Sequence, residues 1–238
     1  MDKLKKKEDL LKEAKERCAL LTQSRLTRLD PASISPKAKI PYKAMHYCAA
    51  LVWRAEELAR IACELYDREE VVSALTLTRS SMETAAALWF LKEKIQSVVD
   101  SKYMGEIDDV LKKLLAGSRN DATVYDAYNV MKFVDNVDKR IAGFRKTYES
   151  MCEYAHPNWL GTSYLFSKPN KEKMWSDFGK DVERTAASVV GGLLLLNNAV
   201  MIFTHTLNKV DELLPAFIKI CEEDLSQTVK NSKNHSEQ

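Results

Sequence analysis

With 238 residues, 45% apolar and 29% charged, the chain has enough material for a sizeable core and the composition of an ordinary globular protein, not of a disordered or collagen-like one. Its 36 basic and 34 acidic side chains leave a formal charge of +2, which excludes the strong net field of a typical nucleic-acid or membrane binder but not a local one. Only 7 glycines and 6 prolines interrupt it, so long helices with few turns are expected.

Residues 3 to about 28 predict a first helix, in which Leu4, Leu11, Cys18 and Leu21, with Ala14 between, recur at heptad-like spacing. Residues 1–28 hold nine Lys or Arg against five Asp or Glu, a pattern read as a solvated helix face with i to i+4 pairs such as Lys12 with Glu16. Pro31, Pro36 and Pro41 make residues 30–42 a loop or semi-rigid linker. A second helix, about 43–67, turns Tyr47, Leu51, Leu58, Ile61 and Leu65 inward; a third, about 69–96, does so with Val72, Leu75, Met82, Ala86 and Phe90. Their very short connection makes them an antiparallel hairpin. A fourth helix, about 106–116, stops at Gly117, read as a left-handed cap, and a polar loop leads into a fifth at about 127–155.

Pro157 ends the fifth helix, and the helical pattern is lost until Gly179. Between them Tyr164-Leu165-Phe166 and Met174-Trp175 suggest a small β-hairpin or an irregular loop. A sixth helix, about 180–208, contains a run free of Asp, Glu, Lys and Arg from Thr185 to Asn208, long enough to span a bilayer. Asn197-Asn198 at its middle and the packing pair Gly191-Gly192 favour a helix enclosed by its neighbours, with no membrane partner. Pro215 kinks or restarts the chain before a last amphipathic helix, and the tail from 229 onward is expected to be disordered. The expectation is an all-α antiparallel helical bundle of about six to seven helices with a loop or β-hairpin insertion near 159–178. Its parts are an N-terminal helix and Pro-rich linker (1–42), the bundle (43–228) and the tail (229–238).

Five scattered cysteines (Cys18, Cys48, Cys63, Cys152, Cys221) without a Cys-x-x-Cys read as reduced buried thiols of a cytosolic protein. Arg79 and Glu83 are i, i+4 neighbours, and Arg79 lies on the inward line of the third helix, where a charge needs a partner. Arg54 replaces an apolar residue in the inward series of the second helix. On the fifth helix Tyr148, Cys152 and His156 share one edge of the apolar face, flanked by Arg145 and Glu149, a set able to do acid/base work or hold a phosphate. Glu153 with His156 is only half of a di-iron bundle signature, and no glycine loop cradles a phosphate, so neither a metal nor another cofactor is expected.

A helix with Arg-x-x-x-Glu (Arg79, Glu83) followed by one ending Tyr-x-x-x-Cys-Glu-x-x-His-Pro-Asn (Tyr148 to Asn158) resembles a group of uncharacterised microbial helical proteins and, more distantly, the HEPN superfamily. That resemblance implies a helical bundle, often dimeric, and metal-independent RNase chemistry through an Arg-x(4-6)-His motif. Here the nearest arginine, Arg145, lies eleven residues before His156, so only His156 carries over. The resulting expectation is a HEPN-like protein that binds or cleaves RNA or binds a nucleotide. His156, Arg79, Glu83 and Tyr148 would form its catalytic cluster, converging at one end of the bundle, and Arg145, Glu149, Asn158 and Trp159 its binding residues. The alternatives are a non-catalytic module that binds a protein partner or forms a homo-oligomer, and a carboxylate-His metal protein.

Overall fold

The computed structural model describes the backbone of residues 2–120 and 122–236 and the side chains of 5–120 and 122–227. It is an all-α bundle with small strand insertions. The helices are α1 (Asp2–Gln23), α2 (Pro31–Ile34), α3 (Lys39–Asp67), α4 (Val71–Ser101), α5 (Ile107–Ala116), α6 (Val130–Asp138), α7 (Phe144–Ala155), α8 (Ser163–Phe166) and α9 (Val182–Ser236). Strands β1 (Gly117–Ser118) and β2 (Tyr125–Asp126) pair in parallel; β3 (Ser167–Asn170) and β4 (Trp175–Phe178) pair antiparallel.

Three residues link α3 to α4, and Glu69 takes a left-handed turn there, so the two helices must fold back on each other. The inward face of α3 is only in part the predicted one, Leu51 alone of the predicted set being fully buried. Ala44, Cys48, Leu51, Val52, Ala55, Ala59, Ala62, Cys63 and Tyr66 are buried, whereas Tyr47, Leu58, Ile61 and Leu65 are half-buried. Small side chains let α3 approach its neighbours closely, and the larger residues close the seam from the side. Of the residues predicted to face inward on α4, Leu75, Met82, Ala86 and Phe90 are buried and Val72 is half-buried. Tyr66 donates or accepts a 2.8 Å hydrogen bond with Thr78 across the hairpin, and its ring leaves no room for a side chain at Gly192 of α9.

The first helix shares this core instead of standing apart. Leu11, Ala14, Cys18 and Leu21 are buried in the same cluster as α3, α4 and α9, while the side chain of Leu4 lies outside the described residues. Asn197 of α9 donates to the carbonyl of Leu10 at 2.9 Å. Lys7 and Lys15 reach Glu69 and Asp67 at the α3–α4 turn, so part of the basic excess is spent on docking α1. Pro31 and Pro41 fall in first helical turns, where a missing N–H costs nothing, so the Pro-rich segment folds as α2 and the start of α3.

Four boundaries differ from expectation. The fifth helix is two, α6 and α7, because Gly143 takes φ +88° between them. Gly117 is extended, not left-handed; it is a glycine because any Cβ would run into Lys113 and Ala127 backbone. The hairpin strands start later than predicted, since 163–166 form a single helical turn. The sixth and seventh helices are one, with Pro215 accommodated inside α9, and that helix continues through the expected tail as far as Ser236; residues 237–238 lie outside the described residues. By length and composition α9 is apolar enough to cross a membrane. Its enclosure is one-sided: Val189, Leu193, Leu196, Val200 and Phe203 are buried, but Leu194 and Met201 are exposed.

Candidate functional site

The i, i+4 spacing of Arg79 and Glu83 places both at the half-buried edge of α4, against α7. Tyr148, on the buried face of α7, donates its phenol to Glu83 Oε1 at 2.8 Å, and Arg79 Nε stands 3.4 Å from the same oxygen. The arginine contact is electrostatic and poorly aligned, since Arg79 Nε is buried without a hydrogen bond. Burial first, and then the bond to the Glu83 carboxylate, push the Tyr148 phenol well above its usual range, so it serves as a neutral donor. These three residues converge as the sequence suggested. Arg54 is not part of the group; its Nε donates to Thr84 Oγ1 at 3.1 Å from the other side of α4.

His156 is apart from them. It caps α7 with its backbone N–H on the Cys152 carbonyl (3.0 Å), then the chain leaves the helix at ψ 149°. Two helical turns separate it from Tyr148, about 12 Å along the axis. Its side chain is exposed, and among the described residues its ring makes no hydrogen bond or ion pair. Arg145 and Glu149 pair with each other at 2.9 Å on the outer face of α7, and Arg145 also holds Asp135 at 2.8 Å, tying α7 to α6. Asn158 closes the turn after α7, donating to Glu153 (2.6 Å) and accepting from the Gly161 N–H (3.2 Å). A side chain at Gly161 would collide with the Tyr154 and His156 carbonyls, which fixes glycine there.

Trp159, the last of the predicted binding residues, is 66% exposed with its ring 5.3 Å from Tyr164. It opens a run of exposed apolar side chains that continues through Phe166, Met174 (88%), Trp175 and Phe178 (82%). Lys168, Lys171 and Lys173 are interleaved with them; Lys173 lies 4.9 Å over the Trp175 ring. Arg184 of α9 anchors the hairpin's base by donating to the Ser167 carbonyl at 2.7 Å.

One charged group escaped sequence reasoning. Glu56 is 2% exposed and holds Arg25 (3.1 Å), Arg60 (3.0 Å) and the Thr22 hydroxyl (3.3 Å) at the junction of α1 and α3. The alanine stripe of α3 was the signal, because Glu56 falls between Val52, Ala55 and Ala59. A groove of about 350 Å³ between α4, α7 and α9 is lined by Met82, Ile141, Phe144, Thr147 and Ile202, and not by Arg79, Glu83, Tyr148 or His156. Among the described residues no three His, Cys, Asp or Glu side chains come together as a metal site. Comparison with family models, curated proteins and solved structures finds no match.

Proposed function

We propose that the protein acts by binding, that its ligand is single-stranded RNA, and that the aromatic–lysine platform from Trp159 to Phe178 is the recognition surface. The observation that carries this reading is the exposure of Met174, Trp175 and Phe178 among lysines on a two-stranded hairpin, with Trp159 exposed in the turn before it. Such a hairpin has too little surface to bury these groups itself, so their burial awaits a ligand. Bases stack on aromatic faces and lysines track the phosphates, a combination tolerant of sequence. The free His156 ring stands three residues from Trp159, where it can touch a phosphate or base edge. The Arg79–Glu83–Tyr148 group has a positioning role, holding α7 and therefore the platform against α4. This agrees with the RNA chemistry implied by the HEPN resemblance while leaving cleavage aside, since among the described residues no group bonds the His156 ring.

Titration of a labelled oligouridylate against the protein tests the reading. Trp175→Ala with Phe178→Ala is expected to weaken binding at least tenfold, because each stacked base contributes about 1 to 3 kcal/mol. Unchanged affinity would refute the platform.

A second reading, a protein-interaction module, is favoured by one feature of the same hairpin. β4 is exposed along its whole length, while β3 carries Lys168 and Pro169, so only the β4 edge is open to strand addition. A partner added by main-chain hydrogen bonds survives 1 M salt; RNA is released.

A further inference from the structure

Some twenty residues along α4 from Glu70, which Lys180 at the end of the hairpin engages, and so about 30 Å along the helix axis, three lysines from three helices gather over one aromatic group. Phe90 of α4, Tyr128 just before α6 and Phe133 of α6 form a trio with ring centres 5.2 to 5.8 Å apart. Lys132 lies 4.6 Å from the Tyr128 ring centre and 5.6 Å from that of Phe90, Lys94 lies 5.4 Å from Phe90, and Lys113 of α5 lies 6.0 Å from Tyr128.

Among the described residues none of these three ammoniums has a carboxylate at ion-pair distance. Their neighbours on α4 and α5 do: Lys92 is held by Glu93, and Lys112 by Asp108 and Asp109. Glu106 and Asp109 lie close enough to Tyr128 to add to the upward push that burial gives its phenol, but Asp109 is already engaged by Lys112. Lys132 also sits in the first turn of α6, at the end of the helix that repels cations, and no acidic residue occupies that turn. Aliphatic stems spread over aromatic rings explain the apolar contact of one such lysine. They do not explain three like charges drawn from separate helices onto one spot, which repel one another until an anion arrives.

We infer that Lys94, Lys113 and Lys132 form a second contact for the phosphodiester backbone of the RNA strand, with Tyr128 and Phe133 as the rigid floor that fixes the lysine stems. The inference rests on the proposed RNA reading and adds a site to it, one that senses charge while the hairpin senses bases.

The test is the salt dependence of binding to a labelled oligouridylate of about 16 nucleotides. Lys113 and Lys132 are exposed, so Lys113→Glu with Lys132→Glu leaves the packing intact, which a melting curve checks. That variant is expected to bind at least tenfold more weakly at low salt, with the slope of log K against log salt shallower by about 1.4, since each lost single-strand phosphate contact removes about 0.7. Lys113→Arg with Lys132→Arg should bind as the parent does. Parent-like affinity and slope in the glutamate variant would overturn the inference, and if Trp175→Ala with Phe178→Ala still weakened binding, the hairpin reading would stand without it. Weakening by the lysine variant alone would keep this site and refute the platform. An unmutated protein that bound no oligouridylate would refute both, and equal affinity for polyglutamate would overturn the phosphodiester assignment.

Discussion

Glu56 and Glu83 make an instructive pair. Each is a carboxylate that joins two helices, and each is met by arginine. Glu56 is almost completely enclosed, and its two arginines approach from the solvent side with their side chains partly exposed. Glu83 keeps 21% of its side chain exposed, accepts a phenol and has a misaligned arginine beside it. The difference shows that enclosure, more than the number of partners, decides what a charged group does. A carboxylate removed from water depends on its cations, whereas one at an edge can exchange a lost partner for water.

The largest effect should come from stripping Glu56 of its cations. Arg25→Ala with Arg60→Ala leaves a buried carboxylate unpaired and is expected to cost about 3 to 5 kcal/mol in urea unfolding. Adding Glu56→Gln to that background should recover part of the loss, and a failure to recover would mean the arginines matter for packing and not for charge. Tyr148→Phe should cost about 1 kcal/mol, because the exposed side of Glu83 can recruit water in place of the phenol. A loss as large as that at Glu56 would erase the distinction.

Alkaline titration sharpens the same contrast. Burial pushes the phenols of Tyr47, to about 12, and of Tyr66 up from 10.0, and Tyr148 is raised by burial together with the Glu83 carboxylate. Above pH 10 the unfolded chain gives up these protons while the folded one keeps them, so stability should fall as pH rises from about 10 towards 12. Urea midpoints at pH 9 and 11 measure the fall, and Tyr148→Phe should remove a share of it. The smallest effect is reserved for His156→Ala. An exposed cap residue with a free ring should change stability by no more than about 0.5 kcal/mol. A greater loss in a melting experiment would show that the ring has a structural partner.

Much of the bundle was legible because period 3.6 shows plainly where large apolar residues alternate with charge, as at Leu11, Cys18 and Leu21 or at Leu75, Met82 and Phe90. It was partly misread on α3, where Leu51 is buried as expected but alanine and cysteine form most of the buried face and carry little hydrophobic contrast against Leu58 and Leu65 at its rim. That misreading hid Glu56. Helix boundaries failed where a single residue admits two outcomes: Gly143 broke a helix that periodicity alone would continue, and Pro215 is accommodated inside one. Within the candidate site, the contact of Tyr148 with the Arg79–Glu83 pair followed from faces that helical geometry fixes. The position of the His156 ring did not, since it depends on the extended turn by which the chain leaves α7.

The contact between Asn197 and the Leu10 carbonyl joins residues 187 positions apart. During synthesis at roughly 5 to 20 residues per second, α1 therefore emerges about 10 to 40 s before the helix that completes its seat. Through that interval Leu11, Ala14, Cys18 and Leu21 lack the α9 face, and α3 gives them their main support. The order of manufacture thus gives the α1–α3 junction, with Arg25 and Glu56 at its end, the task of sheltering the apolar face of α1 until the last helix arrives.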